Sequence, residues 1–251
     1  MGVLAVNFRR LLFFLGFLLA GPALALMTDD VSLDRSWSTA SRASAGIVPP
    51  AASTPEAVVQ VYGARAFGWR GAFAVHTWIA VKAAGAGQYT TYEVIGWRYW
   101  HTGDGLTRRE GAPDRHWFGA APEIYAELRG PQAAAAIPQI EAAVASYPFA
   151  TQYRTWPGPN SNTFTATIAR QVPALRLDLP PTAIGKDFLG TTELIARAPS
   201  GSGYQASLFG ALGILLAVEE GLEVNILGLT FGIDPLDLAL KLPGLGRIGP
   251  E

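Results

Sequence analysis

Three groups of residues in this chain have types and spacings that suit chemistry. The first pairs His76 with the run Pro159-Asn160-Ser161-Asn162-Thr163-Phe164. Ser161 follows a Pro-Gly-Pro turn and opens a predicted helix. Free backbone N–H groups and the positive end of the helix dipole favour an anion at such a position, an oxyanion included. A hydroxyl there needs an adjacent base to become a nucleophile, and His76 is the histidine carried by a predicted strand. The same residues have a simpler use. Asn and Ser before a helix are its preferred caps, and a histidine on a strand is commonly a satisfied structural residue. The second group, His101 and Asp104 with Asp114 and His116, has ligand types for a divalent metal but matches no known metal spacing. The third is aromatic: Trp69, Trp78, Trp97, Trp100, Trp117 and Trp156 suit either a core or a groove for an apolar or sugar ligand.

Other patterns fail on inspection. Gly185-Lys186-Asp187 resembles the end of a phosphate loop, but Pro180 stands where its first glycine belongs. Ser200-Gly201-Ser202-Gly203 lacks the spacing of a nucleophile elbow and reads as a turn. The chain has no cysteine, which excludes a thiol nucleophile, a disulfide framework and a thiolate zinc site. No cofactor and no metal is expected.

These residues need elements to position them. Val58–Tyr62 reads as a short β-branched strand, and Ala72–Lys82 as a second, with Phe73, Val75, Thr77, Ile79 and Val81 on one face and His76, Trp78 and Ala80 on the other. Gln88–Trp97 is its hairpin partner across the Gly85-Ala86-Gly87 turn. Residues 100–119 read as irregular. Gln132–Ser146 is an Ala-rich helix in which Pro138 predicts a kink or break. Asn162–Gln171 is a second helix, capped by Asn160 or Ser161. Ser207–Val218 and Leu222–Phe231 are too short to span a membrane and suggest a long apolar β-hairpin, with a buried helix for the first run as the alternative.

Composition bounds the class. The chain has 251 residues, 49% of them hydrophobic and 16% charged, against about 25% charged in average chains. Net charge is −1 from 19 basic and 20 acidic side chains, with no cationic stripe of the kind nucleic-acid binding uses. The N-terminus supplies much of the apolar excess. Arg9 and Arg10 precede the uncharged run Leu11–Thr28, and Asp29, Asp30 and Asp34 follow it. As a helix that run is about 27 Å long, near the lower limit for a bilayer. It reads as a single-pass anchor in the inner (cytoplasmic) membrane, or as a signal peptide cleaved after Ala23-Leu24-Ala25. Either reading puts the remainder on the periplasmic or extracellular side. Residues 1–28 are thus the anchor or signal, 29–55 a disordered linker rich in Ser, Ala and Pro, 56–240 one α/β (α+β) domain, and 241–251 a C-terminal tail.

Val75–Ala80, Tyr92–Trp97, Trp117-Phe118-Gly119, Tyr147-Pro148-Phe149, Pro157–Phe164 and Ala183–Asp187 together resemble a family of bacterial envelope proteins known only as a domain of unknown function. More remotely, His76-Thr77 followed by Asn160-Ser161-Asn162-Thr163-Phe164 is similar to circularly permuted papain-like hydrolases, in which a strand His is followed by a helix opening Asn-Cys-Asn-x-Phe. That similarity implies an antiparallel sheet with packed helices. It puts Ser161 at the nucleophile position and His76 at the base position, with Glu93 or Tyr92 orienting the imidazole. Ser in place of Cys is a departure, because a hydroxyl has a far higher pKa than a thiol. Three functions follow as expectations. One is a ligand-binding cleft around His76 and Ser161 with Asn160, Asn162, Thr163 and Trp78 in its walls, taking a peptide, cell-wall or lipid ligand. Another is a serine-dependent hydrolase or acyl transferase. The last is an interaction protein using its C-terminal hairpin.

Overall fold

The computed structural model describes residues 2–28, 31, 33–34 and 36–250. Among them the chain forms two antiparallel sheets and four α-helices. The first sheet has the order β4-β3-β2-β1-β5, from β1 (Val58–Arg65), β2 (Val75–Lys82), β3 (Thr90–Val94), β4 (Leu106–Glu110) and β5 (Glu123–Arg129). The expected hairpin holds, with Ile79 opposite Tyr92, and β1 lies along the other side of β2, with Val61 opposite Ile79. One face of this sheet packs on α3 (Gly130–Ala145) and α4 (Ser161–Gln171). Val59, Val61, Ile79, Val81, Tyr92 and Val94 meet Ile140, Phe164 and Ile168 there, all 6% exposed or less. The other face carries Val58, Tyr62, Trp78 and Ala80 against Val48, Ala51 and Trp117.

Several expectations are corrected. α3 runs unbroken through Pro138, because its apolar stripe Ala133, Ala136, Ile140, Ala143 and Val144 is buried on the sheet, and packing of that stripe outweighs one lost hydrogen bond. Residues 100–119 are not wholly irregular: α2 (Gly96–Thr102) and β4 occupy part of them. The stretch from Ser36 to Pro55 is held to the domain rather than acting as a linker. Asp114, fully buried, accepts hydrogen bonds from the Ser44 hydroxyl and from the N–H groups of Ile47 and Val48. Tyr89 Oη donates to the Pro49 carbonyl. Asp29 and Asp30 lie outside the described residues.

The C-terminal region is a seven-stranded meander, not one hairpin and a tail. Its strands are β6 (Ile195–Arg197), β7 (Gly203–Leu208), β8 (Leu212–Ala217), β9 (Gly221–Ile226), β10 (Leu229–Asp234), β11 (Ala239–Leu242) and β12 (Gly246–Ile248). The run Leu222–Phe231 is split by the turn Leu227-Gly228, both with positive φ (55° and 83°), as a two-residue type I′ turn demands. Its inner face meets the first unit through charge: Lys186 Nζ contacts both Asp187 and Glu223, and Lys241 Nζ contacts Glu223 and Asp178. Burial alone would lower the Lys186 pKa, but Asp187 and Glu223 outweigh it and hold the ammonium above its ordinary value.

The N-terminal apolar run is helical as α1 (Gly2–Ala25). Among the described residues no helix is long and apolar enough to cross a membrane. The C-terminal half of α1 is instead seated on the domain. Leu18 and Ala25 are buried, Ala25 joins a small cluster with Ala72 and Leu245, and the Phe17 ring stacks on Phe231 at 4.9 Å.

Candidate functional site

His76 sits near the start of β2 and projects, with Trp78, from the face away from the helices. Glu93 on β3 and Arg115 on the loop after β4 share that face. The His76 ring Nε2–H donates to Glu93 Oε2 at 2.9 Å, and Arg115 pairs with the other carboxylate oxygen. The Trp117 indole stacks flat on the imidazole, centroids 3.6 Å apart and planes 10° apart. The histidine is therefore fixed on two sides, by a hydrogen bond along its edge and an aromatic plane across its face. Burial lowers the His76 pKa below its ordinary 6.5, and the bond and charge of Glu93 offset only part of this. Burial would raise the Glu93 carboxyl. The hydrogen bond from His76 and the cations Arg115 and Arg109 outweigh that and hold it below its ordinary 4.5. The resulting ground state is a neutral imidazole donating to a carboxylate, with Nδ1 left as a lone-pair acceptor.

This end of the sheet, at the start of β2 and the end of β3, opens into a cavity of ≈ 900 Å³. His76, Arg115, Trp117 and Phe118 line one side, and Trp97, Trp100 and Tyr153 another. Trp37, Arg42, Phe67 and Arg70 contribute further wall. No acidic side chain lines it among the described residues. Arg42 lies over the Phe118 ring and Arg70 over the Trp69 ring, and neither forms an ion pair among the described residues. The cavity is thus aromatic and net cationic, with His76, His101 and His116 in its wall, and of these His76 is the one held by a carboxylate and a stacked indole.

Ser161 opens α4 as expected, but the polar residues around it are committed to the fold. Asn160 is the N-cap: its Oδ1 accepts from the N–H groups of Asn162 and Thr163, and its Nδ2 donates to the Thr155 and Ile184 carbonyls. Thr163 Oγ1 accepts from the Asn160 N–H and donates to the Gly185 carbonyl, completing a capping box. Asn162 Nδ2 donates to the Val75 and Ile184 carbonyls. Gly185 belongs to this cap rather than to a phosphate loop: its φ is +99° and an added Cβ would lie 2.3 Å from Asn160 Nδ2.

The start of α4 is tied to the strand on both sides of His76. Thr77 Oγ1 donates to Asn162 Oδ1 at 3.0 Å and contacts the Ser161 carbonyl at 3.3 Å. Because side chains alternate along a strand, the inward turn of Thr77 sends His76 to the opposite face. No hydrogen bond joins the His76 ring to the Ser161 hydroxyl among the described residues. The structure thus brings together His76 and Glu93 and leaves Ser161 with the cap residues. Tyr92 faces the helix-side core, where its hydroxyl reaches Glu141 at 3.4 Å. Trp78 is 1% exposed and its indole N–H donates to the Pro113 carbonyl at 2.8 Å, so it backs the cavity without lining it.

The histidine and aspartate group of the 101–116 region is dispersed. The exposed His101 donates to the Trp97 carbonyl, His116 donates to the Ala43 carbonyl, and Asp114 fastens residues 44–48. No cluster of three or more His, Asp or Glu able to hold a metal occurs among the described residues. Arg115 and Trp117, the partners that fix His76, were missed as such. Their signal was in plain view, since they flank His116 in a Trp-rich stretch, but no spacing rule connects that loop to β2.

A family model described as Protein of unknown function (DUF3750) matches residues 56–188, more than half of the chain. The match takes in the first sheet, α3, α4 and the cap around Gly185, and stops short of the seven-stranded sheet. No curated protein and no solved structure matches the chain.

Proposed function

The chain belongs to the DUF3750 family, and from that premise we propose that its domain is a binding module for a small amphiphile with an aromatic or acyl body and an anionic head. One observation carries this: an oriented, neutral His76 stands in the wall of an aromatic cavity whose free cations, Arg42 and Arg70, have no acidic counterpart in the lining. Aromatic walls supply apolar contact area, and a few convergent polar groups fix orientation. Peptide and lipid fragments from the cell envelope have this chemistry. In this reading Arg9 and Arg10 ahead of the apolar run direct the domain to the far side of the cytoplasmic membrane.

Thermal unfolding with an aromatic carboxylate such as naphthalene-2-carboxylate tests it. At about one hundred times Kd the midpoint rises by roughly 5–10 °C. The rise is unchanged in Ser161→Ala and reduced in Arg70→Gln. An equal rise in Arg70→Gln, or none in the wild type, contradicts the reading.

A second reading, a serine-dependent hydrolase of permuted papain-like architecture, is favoured by one specific contact: Glu93 bonds His76 as the orienting group of such a site would. It requires Ser161 to reach the imidazole. A fluorophosphonate probe distinguishes the two, since labelling of wild type that vanishes in Ser161→Ala would support the hydrolase, and the binding reading predicts no labelling of either.

A further inference from the structure

The seven-stranded sheet is built inside out. Its face toward the rest of the molecule is polar: Gln205, Ser207, Glu223, Asn225, Thr230 and Lys241 are each 5% exposed or less. Its outer face is apolar. Strand register aligns Tyr204, Leu216, Leu222, Ile233, Leu240 and Ile248 in one row across β7 to β12. The next row runs Ile195, Ala206, Ile214, Val224 and Phe231. Several of these side chains stand free: Ile214 is 52% exposed, Leu216 67%, Ile233 47% and Leu240 51%. A sheet with one wet face normally alternates the other way, apolar inward and polar outward. Here the inward positions Glu223 and Lys241 pair with each other, and Glu223 also pairs with Lys186 from outside the sheet, beside only a few buried apolar residues such as Leu215 and Leu229. A contiguous apolar face of this kind marks a surface that something covers.

What covers it is indicated by α1. Phe17 stacks on Phe231, a member of the second row, so the helix joins the outer face directly. On its remaining sides α1 shows more of the same: Leu12, Phe13, Leu15 and Leu24 are 52%, 80%, 39% and 53% exposed. A second protein can cover one flat face, but a helix whose described exposed side chains from Leu12 to Leu24 are all apolar needs a surrounding medium. Arg9 and Arg10, both exposed, lie on the same helix toward its N-terminus. Apolar side chains beside cations are what an anionic lipid interface selects. We propose that the outer face of the seven-stranded sheet and α1 form one docking surface for a lipid bilayer, so that the protein lies on the membrane through this sheet. This surface is independent of the His76 cavity.

The absence of cysteine makes the test clean. The full chain carrying Leu216→Cys, or Ala134→Cys on the exposed side of α3 as control, is labelled with an environment-sensitive nitrobenzoxadiazole dye and mixed with vesicles of phosphatidylethanolamine and phosphatidylglycerol. The label at position 216 shifts to the blue and is quenched by doxyl-labelled lipid, and the label at 134 is not. The double variant Ile214→Asp/Val224→Asp lowers vesicle partitioning at least ~10-fold. Should that variant fail to fold, the position 216 label still decides, because it alters one exposed side chain. A label at 216 that ignores vesicles overturns the proposal. So does one that responds to protein concentration alone while sedimentation shows a dimer, which would make the occupant a second copy of the chain.

Discussion

At residue scale, the chemistry turns on which neighbours a side chain has spent its bonds on. Asn160 makes four hydrogen bonds that cap α4 and anchor it to Thr155 and Ile184. Replacing it with Ala should cost about 2 kcal/mol or more, above the usual ~1 for a lost cap. Ser161→Ala should cost less, under about 1 kcal/mol, because the Ser161 hydroxyl makes no hydrogen bond among the described residues although the residue is buried; denaturant midpoints of the two variants check this. His76 and Glu93 set the acid response. The folded imidazole has a pKa below the unfolded 6.5, so between those values the unfolded chain binds a proton that the folded chain does not. Stability present above about pH 6.5 is therefore lost as pH falls, and the depressed Glu93 carboxyl adds a loss of the same sign below its ordinary 4.5. Melting temperature should be level above about pH 6.5 and decline below it, with the upper part of the decline missing in His76→Gln. Of this site, the helix cap and His76 were legible in the sequence, because caps and strand position follow local rules. Arg115 and Trp117 were not, because they reach His76 from a loop whose course only the tertiary fold sets.

At element scale, alternation and turns decided what could be read. The odd residues of β2 face the helices as their pattern requires, and the Gly85–Gly87 turn delivers β3 in register. β5 gives no clear strand signal: its residues are exposed or half-exposed and mixed in character, and its partner β1 is remote in sequence. The C-terminal strands were misread for a different reason. Their buried polar residues, Glu223 among them, give the strands an alternation with polar side chains inside, the reverse of the usual one. Leu227 also holds a positive-φ turn position that Asn or Gly usually marks. The ion pairs across this interface yield a sharp expectation. Glu223→Leu strands Lys186 and Lys241 without their shared carboxylate and should destabilise the protein by ~3–5 kcal/mol. Chemical denaturation checks it, and a loss under about 1 kcal/mol would show that water reaches the lysines.

At the scale of the whole molecule, the two proposed binding surfaces are separate. The family-matched unit, residues 56–188, supplies most of the aromatic cavity, to which Trp37 and Arg42 are added from ahead of it, and the sheet beyond it turns an apolar face outward. The cavity and the apolar face stand on different elements, so loss of one leaves the other intact. The cavity beside His76 is proposed to take a ligand without help from Ser161. Tryptophan fluorescence reports on it directly, because Trp37, Trp97, Trp100 and Trp117 line that cavity. Titration of naphthalene-2-carboxylate should give a saturable one-to-one change in the wild type and the same curve in Ser161→Ala. In Trp100→Ala, whose side chain is 67% exposed at the cavity, affinity should fall at least ~10-fold. A wild-type curve that fails to saturate, or a Trp100→Ala curve superimposable on it, would contradict the claim.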